Sequence, residues 1–205
     1  MEIVIASQNL HKIREIKRIL SQFKNLDCVS LIQFPKYTPP VTEGKTFKEN
    51  AIEKALKASS ELNRWVIADA SGLVVPGLKG APGVQGQTYA GIDATDAENR
   101  TKLLKDMESV QDPERSAYFE CSLALASPQK LYKTVTGYCE GSLLTEERGR
   151  NGFGYDALFV KSEYDKSFAE IDEITKNRIS HRRKALEKLF PTLEKLCATS
   201  LMAIT

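Results

Sequence analysis

The sequence predicts a single α/β domain, residues 1–205, with a mixed central sheet flanked by helices. Helix and strand patterns alternate as far as about residue 110, which is typical of a layered α/β fold. Two long alternating segments follow and predict a hairpin. The 205 residues, of which 41% are hydrophobic, are sufficient for a substantial core.

The N-terminal elements follow from periodicity and capping residues. Residues 2–6 form a predicted strand, and an amphipathic helix is predicted from Lys12 to about Phe23. Thr46 and Glu49 have the form of a capping box and predict the start of a second helix. The residues of that helix predicted to face inward are Ile52, Leu56 and Leu62.

The remaining elements follow from the same signals. Residues 65–68 predict a buried strand that ends in a Ser-Gly turn, and a second capping box, Thr95 with Glu98, opens a helix to about Val110. The predicted hairpin strands are residues 115–126 and 131–143, and the next strand is 157–161. One last helix carries Leu186, Leu189, Leu193 and Leu196.

Charge, cysteine usage and hydropathy exclude several classes of protein. The formal net charge is +2, whereas proteins that bind duplex nucleic acid usually carry a strong basic excess. The four cysteines are scattered without metal-site spacing. No apolar run approaches membrane-spanning length, and the N-terminus lacks a signal-peptide pattern. We therefore expect a reduced, cytoplasmic protein that binds neither nucleic acid nor membranes.

The junction between the first strand and the first helix is a candidate phosphate site. It comprises Ser7, Gln8, Asn9, Leu10, His11 and Lys12. Backbone N–H groups and the helix dipole suit an anion there, and Lys12 adds a point charge. The alternative is that Ser7 or Asn9 merely caps the helix and Lys12 is solvated.

Asp69, which follows the buried strand, is a candidate metal ligand. A carboxylate before a Ser-Gly turn suits Mg²⁺, which takes few protein oxygens and keeps water and substrate phosphates. The alternative is a turn aspartate that bonds its own backbone. Ala70 can neither bind a metal nor accept a proton. Among the motifs along the chain, the nearest candidate for a second acidic ligand is Glu43, in the proline-rich loop.

Two later segments carry groups that suit a purine base. In residues 151–156, two glycines flank an aromatic ring, and such a ring can stack on a base for roughly 1–3 kcal/mol. The segment around Lys176, His181 and Arg182 carries donors for a phosphate or a carbonyl oxygen. The alternatives are ordinary core aromatics and a solvated basic helix face.

Together these segments resemble the inosine triphosphate pyrophosphatase family, from Ile3 to the last helix. The matching stretches are Ala6-Ser7-x-Asn9-x-x-Lys12, Thr46-Phe47-x-Glu49-Asn50-Ala51, Ala68-Asp69-x-Ser71-Gly72-Leu73, Gly80-Ala81-Pro82-Gly83, Tyr89-x-Gly91, Gly152-Phe153-Gly154-Tyr155-Asp156 and Ile179-Ser180-His181-Arg182-x-x-Ala185-Leu186. Each stretch is short, and their common order and spacing make the resemblance specific.

The resemblance implies a fold with two lobes around a central nucleotide cleft, usually as a homodimer. It implies Mg²⁺-dependent hydrolysis of inosine, deoxyinosine and xanthosine triphosphates (ITP, dITP and XTP) to the monophosphate and pyrophosphate. The implied substrate-binding residues are those of the junction, Ser7 to Lys12, with Ser71, Phe153, Gly154, Tyr155, Asp156, Lys176, His181 and Arg182.

Individual roles also follow from the resemblance. The junction would hold the triphosphate, Phe153 would stack on the purine, and Asp156 would read its edge, with Lys176 supporting the nucleotide. His181 and Arg182 would donate to the 6-keto oxygen. Adenosine has an amine donor at that position, so buried donors would be left unpaired and ATP would be rejected.

The sequence departs from the family pattern at the acidic segment. The family has two adjacent aspartates before Ser-Gly and relies on the second for metal binding and water activation, whereas this chain has Asp69 and Ala70. Glu43 is off-register as a metal ligand, and Gln8 stands where glycine is usual. Residues 85–88 lack the expected aromatic and arginine.

We therefore expect a nucleoside triphosphate pyrophosphatase that binds ITP and hydrolyses it slowly. Ala70 is either an engineered substitution or a natural departure. The alternative function is a catalytically inactive purine-nucleotide-binding or sensing protein. A nucleic-acid binder is disfavoured by the near-neutral charge.

Overall fold

The computed structural model describes residues 1–202 and confirms a mixed α/β fold. The strands of this region are β1 (Glu2–Ile5), β2 (Asp27–Ser30), β3 (Val66–Val74), β4 (Ser116–Ser127), β5 (Lys130–Leu143) and β6 (Phe159–Lys161). The helices are α1 (Leu10–Leu20), α2 (Phe47–Leu62), α3 (Asp96–Asp106), α4 (Glu173–Ile179), α5 (His181–Glu187) and α6 (Phe190–Met202). The sheet order is β2-β1-β3-β4-β5-β6. β1 is parallel to β2 and β3, whereas β5 and β6 are antiparallel.

The chain divides into two compact units, each with its own apolar core. Unit 1 comprises Met1–Ala70, Cys121–Gly137 and the chain from Arg182 onward, and unit 2 comprises Ser71–Glu120 and Tyr138–His181. The core of unit 1 includes Ile3, Ile16, Ile67, Leu123 and Leu193, and that of unit 2 includes Leu73, Phe119, Phe159 and Phe168. β3, β4 and β5 each contribute residues to both units. The single domain and the nucleotide cleft stay predictions.

Strand β2 is an element that the sequence analysis misses. It pairs in parallel with β1, with Cys28 opposite Ile3 and Val29 opposite Val4. Four residues with two apolar side chains are too short to establish a period-two pattern. Pairing with the buried strand β1 therefore defines β2.

Helix α1 is confirmed with shifted ends. It begins at Leu10 rather than Lys12 and ends at Leu20 rather than Phe23. The predicted inward-facing residues Ile13, Ile16 and Leu20 are buried. Phe23 lies beyond the helix and packs, partly buried, against the core of unit 1.

Helix α2 has the predicted N-terminus but buries a different face. The Thr46 hydroxyl accepts from the Glu49 N–H at 3.1 Å, and the Glu49 carboxylate accepts from the Thr46 N–H at 3.2 Å. The prediction that Leu56 faces inward is wrong, because this side chain is 38% exposed, and Ile52 and Leu62 are only half-buried. The buried residues are Phe47, Asn50, Ala51, Ala55, Ala58 and Ser59. Small side chains allow a helix to approach its neighbours closely.

Strand β3 corrects the interpretation of the acidic segment. The predicted strand ends at residue 68 before a Ser-Gly turn, but β3 continues without a break to Val74. The apolar residues after Gly72 favour a strand, and pairing in the sheet overrides the local turn signal. Asp69 is therefore a strand residue, and its alternative role as a turn aspartate is wrong.

The C-terminal half confirms most of the predicted elements. α3 begins with the predicted capping box but ends at Asp106 rather than Val110. β4 and β5 form the predicted hairpin within one residue at each end. The predicted last helix is divided into α5 and α6 by a break after Glu187, and the separate helix α4 precedes them because Ser180 is extended. Lys176 therefore lies in α4, and His181 begins α5 rather than the last helix.

The four cysteines are free thiols, and three of them are buried. Burial raises the pKa of Cys121 to about 12, which keeps this thiol protonated and unreactive. Across residues 1–202, no helix combines the length and the apolar character that a membrane crossing requires.

Candidate active site

The junction between β1 and α1 is organised by helix capping. Asn9 is the N-cap of α1, and its side-chain oxygen accepts from the N–H groups of His11 at 2.9 Å and Lys12 at 3.2 Å. The Ser7 hydroxyl accepts from the Asn9 N–H at 3.2 Å. Asn9 therefore caps the helix, and its role in phosphate binding stays a prediction. Gln8, Leu10 and His11 are exposed.

Lys12 is buried and forms an ion pair with Asp69. The exposed fraction is 8% for Lys12 and 1% for Asp69, and Lys12 Nζ lies 3.0 Å from Asp69 Oδ2. The alternative of a solvated lysine is therefore wrong. Because Asn9 caps the helix, Lys12 lies in the first turn of α1, where it can face β3 of the same unit.

Two further cations contact Asp69. Lys54 of α2 donates from Nζ to the backbone oxygen of Asp69 at 2.8 Å, and Arg182 Nη2 lies 3.4 Å from Asp69 Oδ2. Arg182 Nη1 also donates to the buried carboxylate of Glu15 in α1. With Lys12, these residues form the Asp69 cluster, in which three cations face two carboxylates. The cluster therefore has an excess of positive charge that favours an anionic ligand.

These charges determine the protonation of the buried groups. Burial alone would raise the pKa of Asp69, but Lys12, Arg182 and Lys54 together hold that pKa well below its ordinary value of about 4. Burial lowers the pKa of Lys54, against the opposing effect of Asp69. Burial would also lower the pKa of Arg182, but the carboxylates of Glu15 and Asp69 raise it. Asp69 is thus ionised and Arg182 charged at neutral pH.

Neither Glu15 nor Lys54 is among the predicted site residues, although each position carries a signal. Glu15 lies between Ile13 and Ile16 on the apolar face of α1, and charged residues are almost never buried unless they are paired. Lys54 precedes Ala55 in the stretch of α2 rich in small residues. A charged residue at a buried helical position indicates a partner on a neighbouring element.

The three predicted metal positions, Asp69, Ala70 and Glu43, differ in burial. Ala70 is buried in β3 and presents a methyl group, whereas Glu43 is exposed in the irregular segment before α2. Within residues 1–202, no three His, Cys, Asp or Glu side chains are grouped as a metal site. The residues do not fit a metal held by protein ligands alone. Asp69 does fit one ligand of Mg²⁺ that arrives with phosphate oxygens and water.

In unit 2, residues 151–156 form the predicted glycine-hinged loop. Gly152 and Gly154 have φ angles of +77° and +59°, in the region that favours glycine. The Phe153 N–H donates to Asp156 Oδ2 at 2.9 Å. A Cβ on Gly152 would lie 2.1 Å from the same oxygen, so glycine is required where the loop closes on Asp156.

Asp156 also pairs with Lys176 of α4. Lys176 Nζ lies 2.6 Å from Asp156 Oδ2, and both side chains are buried. The same ammonium group lies 4.6 Å from the centre of the Phe153 ring, within the range of a cation–π interaction. The structure thus brings together the ring, the carboxylate and the lysine that the resemblance assigns to the base.

Tyr155 and His181 are buried in unit 2. The Tyr155 hydroxyl donates to the Gly86 oxygen at 2.7 Å, and Tyr155 packs in the core of unit 2. The His181 ring stacks on Phe119, with centroids 4.8 Å apart and 13° between the planes, so it is not on a solvated face. The division between units falls between His181 and Arg182, and these two residues have different partners.

The predicted site residues therefore form two groups. Unit 1 brings together Lys12, Asp69 and Arg182, and unit 2 brings together Phe153, Asp156 and Lys176. Ser71 is half-buried in β3 at the start of unit 2. The binding and catalytic roles of these residues stay predictions.

Known proteins resemble this chain over nearly its whole length. The model of the Ham1 family matches residues 3–192. A dITP/XTP pyrophosphatase from Protochlamydia amoebophila (strain UWE25) is 59% identical over 197 residues, which cover 96% of this chain and 99% of that protein. One of the same name from Chlamydia caviae is 48% identical over 204 residues, which cover 99% of both chains.

Solved structures agree with the fold. A HAM1 protein from Coxiella burnetii is 39% identical, with a TM-score of 0.86, and the match covers 95% of this chain and 99% of that one. The Staphylococcus aureus Ham1 protein is 38% identical, with a TM-score of 0.84 and the same coverage. The mixed α/β architecture is thus shared with these proteins.

Proposed function

The chain belongs to the Ham1 family, which confirms the resemblance, and on this basis we propose that it is a pyrophosphatase of purine nucleoside triphosphates. Its substrates are ITP, dITP and XTP, and its products are the monophosphate and pyrophosphate. The reaction removes deaminated purines from the nucleotide pool. The observation that supports this proposal most directly is the Asp69 cluster, in which three cations face two carboxylates.

The triphosphate is the ligand that suits this excess charge. Lys12 and Lys54 neutralise phosphate oxygens, and Ser7, Asn9 and Ser71 contribute hydrogen bonds. Hydrolysis requires attack by water and departure of pyrophosphate, and negative charge must be stabilised on both sides of the broken bond. Fixed buried cations do so without reorganisation during the reaction.

The base is bound by the loop of unit 2. Phe153 stacks on the purine, and Asp156, held by Lys176, reads its edge. His181 and Arg182 donate to the 6-keto oxygen. A guanidinium has five N–H donors, so Arg182 can contact two carboxylates and a keto oxygen.

Mg²⁺ is the metal that suits this donor set. We propose that it binds with the triphosphate and takes Asp69 as its protein carboxylate, with Glu43 as a second candidate. When bound, it neutralises phosphate charge. The methyl group of Ala70 can supply neither the second carboxylate nor a base for the attacking water. We therefore propose that this chain binds ITP well and turns it over slowly.

Restoration of the missing acid tests the function. The variant Ala70→Asp should release pyrophosphate from ITP and XTP at least about 100-fold faster than the unmodified chain, in line with the usual contribution of a general base. The assay uses ITP, XTP, GTP and ATP, each with and without Mg²⁺. The control is Ala68→Ser, which alters a neighbouring position of β3 without adding a carboxylate.

Each outcome of this assay decides one point. If Ala70→Asp shows no increase over the unmodified chain, the enzymatic proposal is wrong. Equal turnover of all four nucleotides would contradict recognition of the 6-keto group. Equal rates without Mg²⁺ would contradict the metal requirement.

A purine-nucleotide-binding or sensing protein is the second candidate function. Ala70 favours it, because a chain without the second acid retains the cations of the Asp69 cluster. This candidate predicts tight binding of ITP and no turnover even in Ala70→Asp. Calorimetric titration of ITP alongside the pyrophosphate assay separates the two functions.

We also propose that the chain is a single domain that acts in the cytoplasm as a homodimer, without nucleic-acid or membrane partners. The family resemblance supports the dimer, and the net charge of +2 argues against a nucleic-acid partner. Light scattering after size-exclusion chromatography would give the mass of the particle. A mass of one chain, 22.9 kDa, at micromolar concentration would contradict the homodimer.

A further inference from the structure

The backbone N–H and C=O groups of Phe153 and Gly154 all form hydrogen bonds. The Phe153 N–H donates to Asp156 Oδ2 at 2.9 Å, and the Phe153 oxygen accepts from the Asp156 N–H at 3.2 Å. The Gly154 N–H donates to Asp96 Oδ2 at 2.7 Å, and the Gly154 oxygen accepts from Arg100 Nη1 at 2.9 Å. Two of these four hydrogen bonds are therefore formed with residues of α3, outside the loop.

The loop needs such support because glycines flank its aromatic residue. Gly152 and Gly154 both adopt left-handed angles, and glycine loses more conformational freedom on ordering than any other residue. Without external contacts, the Phe153 ring would sample many orientations. A stacking platform must instead be ordered before the base arrives, because ordering on binding reduces affinity.

Helix α3 is built to hold its two contacts in place. Asp96 is the first residue of α3, directly after the N-cap Thr95, whose capping box with Glu98 fixes the helix end. The hydrogen bond from Gly154 to Asp96 has an ionised acceptor and belongs to the stronger class. Arg100 lies one turn later, and its Nε forms an ion pair with Glu147 at 2.9 Å while Nη1 reaches Gly154.

We infer that Asp96 and Arg100 are positioning residues for the purine. Asp96 holds the backbone N–H of Gly154 and Arg100 holds its backbone oxygen. Together they form a clamp that sets the orientation of Phe153, so that they control affinity for the base without contacting the nucleotide. The inference rests on the proposed function, in which Phe153 stacks on the purine. Loss of the clamp should therefore weaken binding of a base and leave binding of a bare triphosphate unchanged.

Calorimetric titration of the full chain tests the clamp. The probes are inosine monophosphate, which carries the base, and inorganic tripolyphosphate, which does not. Asp96→Ala should raise the Kd of inosine monophosphate about 3- to 10-fold, as the loss of one hydrogen bond would do, without changing the Kd of tripolyphosphate. Arg100→Ala should give the same pattern.

Two matched variants separate the clamp from helix stability. Asp96→Asn keeps an acceptor oxygen for the Gly154 N–H and should restore most of the affinity. Glu98→Gln removes a negative charge from the same helix turn, keeps the capping acceptor, and should leave both Kd values unchanged. In a Phe153→Ala background, Asp96→Ala should have no further effect, because it acts through that ring.

The outcomes distinguish failure of the clamp from failure of the function. If the unmodified chain binds inosine monophosphate and Asp96→Ala leaves its Kd unchanged, the clamp is wrong and the function stands. Equal weakening of both probes, or additive effects of Asp96→Ala and Phe153→Ala, would also overturn the clamp. If the unmodified chain binds neither inosine monophosphate nor ITP, the proposed function is wrong and the clamp with it.

Discussion

Asp69 is held as an anion inside the protein by residues from three helices. Lys12 belongs to α1, Lys54 to α2 and Arg182 to α5, and each contacts either the carboxylate or the backbone oxygen of Asp69. Burial of an isolated carboxylate would be strongly unfavourable, and these cations compensate for it. Asp69 therefore contributes to the packing of unit 1 as well as being a candidate metal ligand.

The low pKa of Asp69 predicts a specific pH dependence of stability. Because the folded pKa lies below the unfolded value of about 4, the stabilising contribution is present above pH 4 and is lost as the pH falls through the folded pKa. Asp69→Asn should lower the free energy of unfolding at pH 7 by about 3–5 kcal/mol, since it removes the carboxylate that pairs with the buried Lys12. Urea unfolding between pH 7 and pH 3 measures both effects.

The stability difference between the variant and the unmodified chain should narrow as the pH falls below 4, because the aspartate of the unfolded chain takes up a proton while folded Asp69 keeps its charge. Asp27→Asn is the matched control, since this aspartate is exposed at the start of β2. Curves that stay parallel over the whole range would contradict the role of Asp69 charge in stability.

At the scale of elements, α2 shows how packing decides which face of a helix is buried. The prediction took the large aliphatic residues as the buried face, but Ala55 is fully buried and Leu56 is 38% exposed. Lys54, next to Ala55 in the same helix, donates to the backbone oxygen of Asp69. Residues of α2 thus contribute to the Asp69 cluster as well as to the core.

The packing of α2 predicts that enlarging a small buried side chain lowers stability more than truncating a large, partly exposed one. Ala55→Leu should lower the free energy of unfolding by about 1–3 kcal/mol, because a larger side chain does not fit a closely packed face. Leu56→Ala, the neighbouring control, should cost less than about 1 kcal/mol, because it removes a partly exposed side chain. Chemical denaturation measures both. A larger cost for Leu56→Ala would restore the original prediction.

At the scale of the whole molecule, three strands run through both units. β3, β4 and β5 each place one end in the core of unit 1 and the other in the core of unit 2. A continuous strand cannot unfold in one core without loss of pairing that extends into the other. We therefore expect the two cores to unfold together, as a single domain does.

Unfolding followed by the single tryptophan tests this expectation. Trp65 belongs to unit 1, where its ring packs edge-on against Tyr132 at 5.1 Å. Phe159→Ala in the core of unit 2 should cost about 3–5 kcal/mol and should lower the Tm seen by Trp65 fluorescence by about 10 °C. Ile174→Ala, at an exposed position of unit 2, is the control. An unchanged Trp65 transition would contradict a single domain.

Much of the fold could be predicted from the sequence because its signals are local. Capping boxes at Thr46 and Thr95, the alternating hairpin strands and the apolar period of α1 all persist in the structure. The elements that were missed or misplaced depend on distant partners. β2 exists because β1 pairs with it, and β3 continues past Gly72 because the sheet supports it.

The sequence by itself determined the family, the mixed α/β class and the candidate residues, because order and spacing of short motifs are properties of the chain. Only the tertiary structure decided which side chains meet. It joined Glu15 and Lys54 to Asp69, placed Arg182 among carboxylates, and connected Asp96 to the Phe153 loop across 58 residues. The apolar period of a helix can mark a charged residue such as Glu15 at a buried position, but it does not identify the distant partner, because pairing between distant residues has no local period.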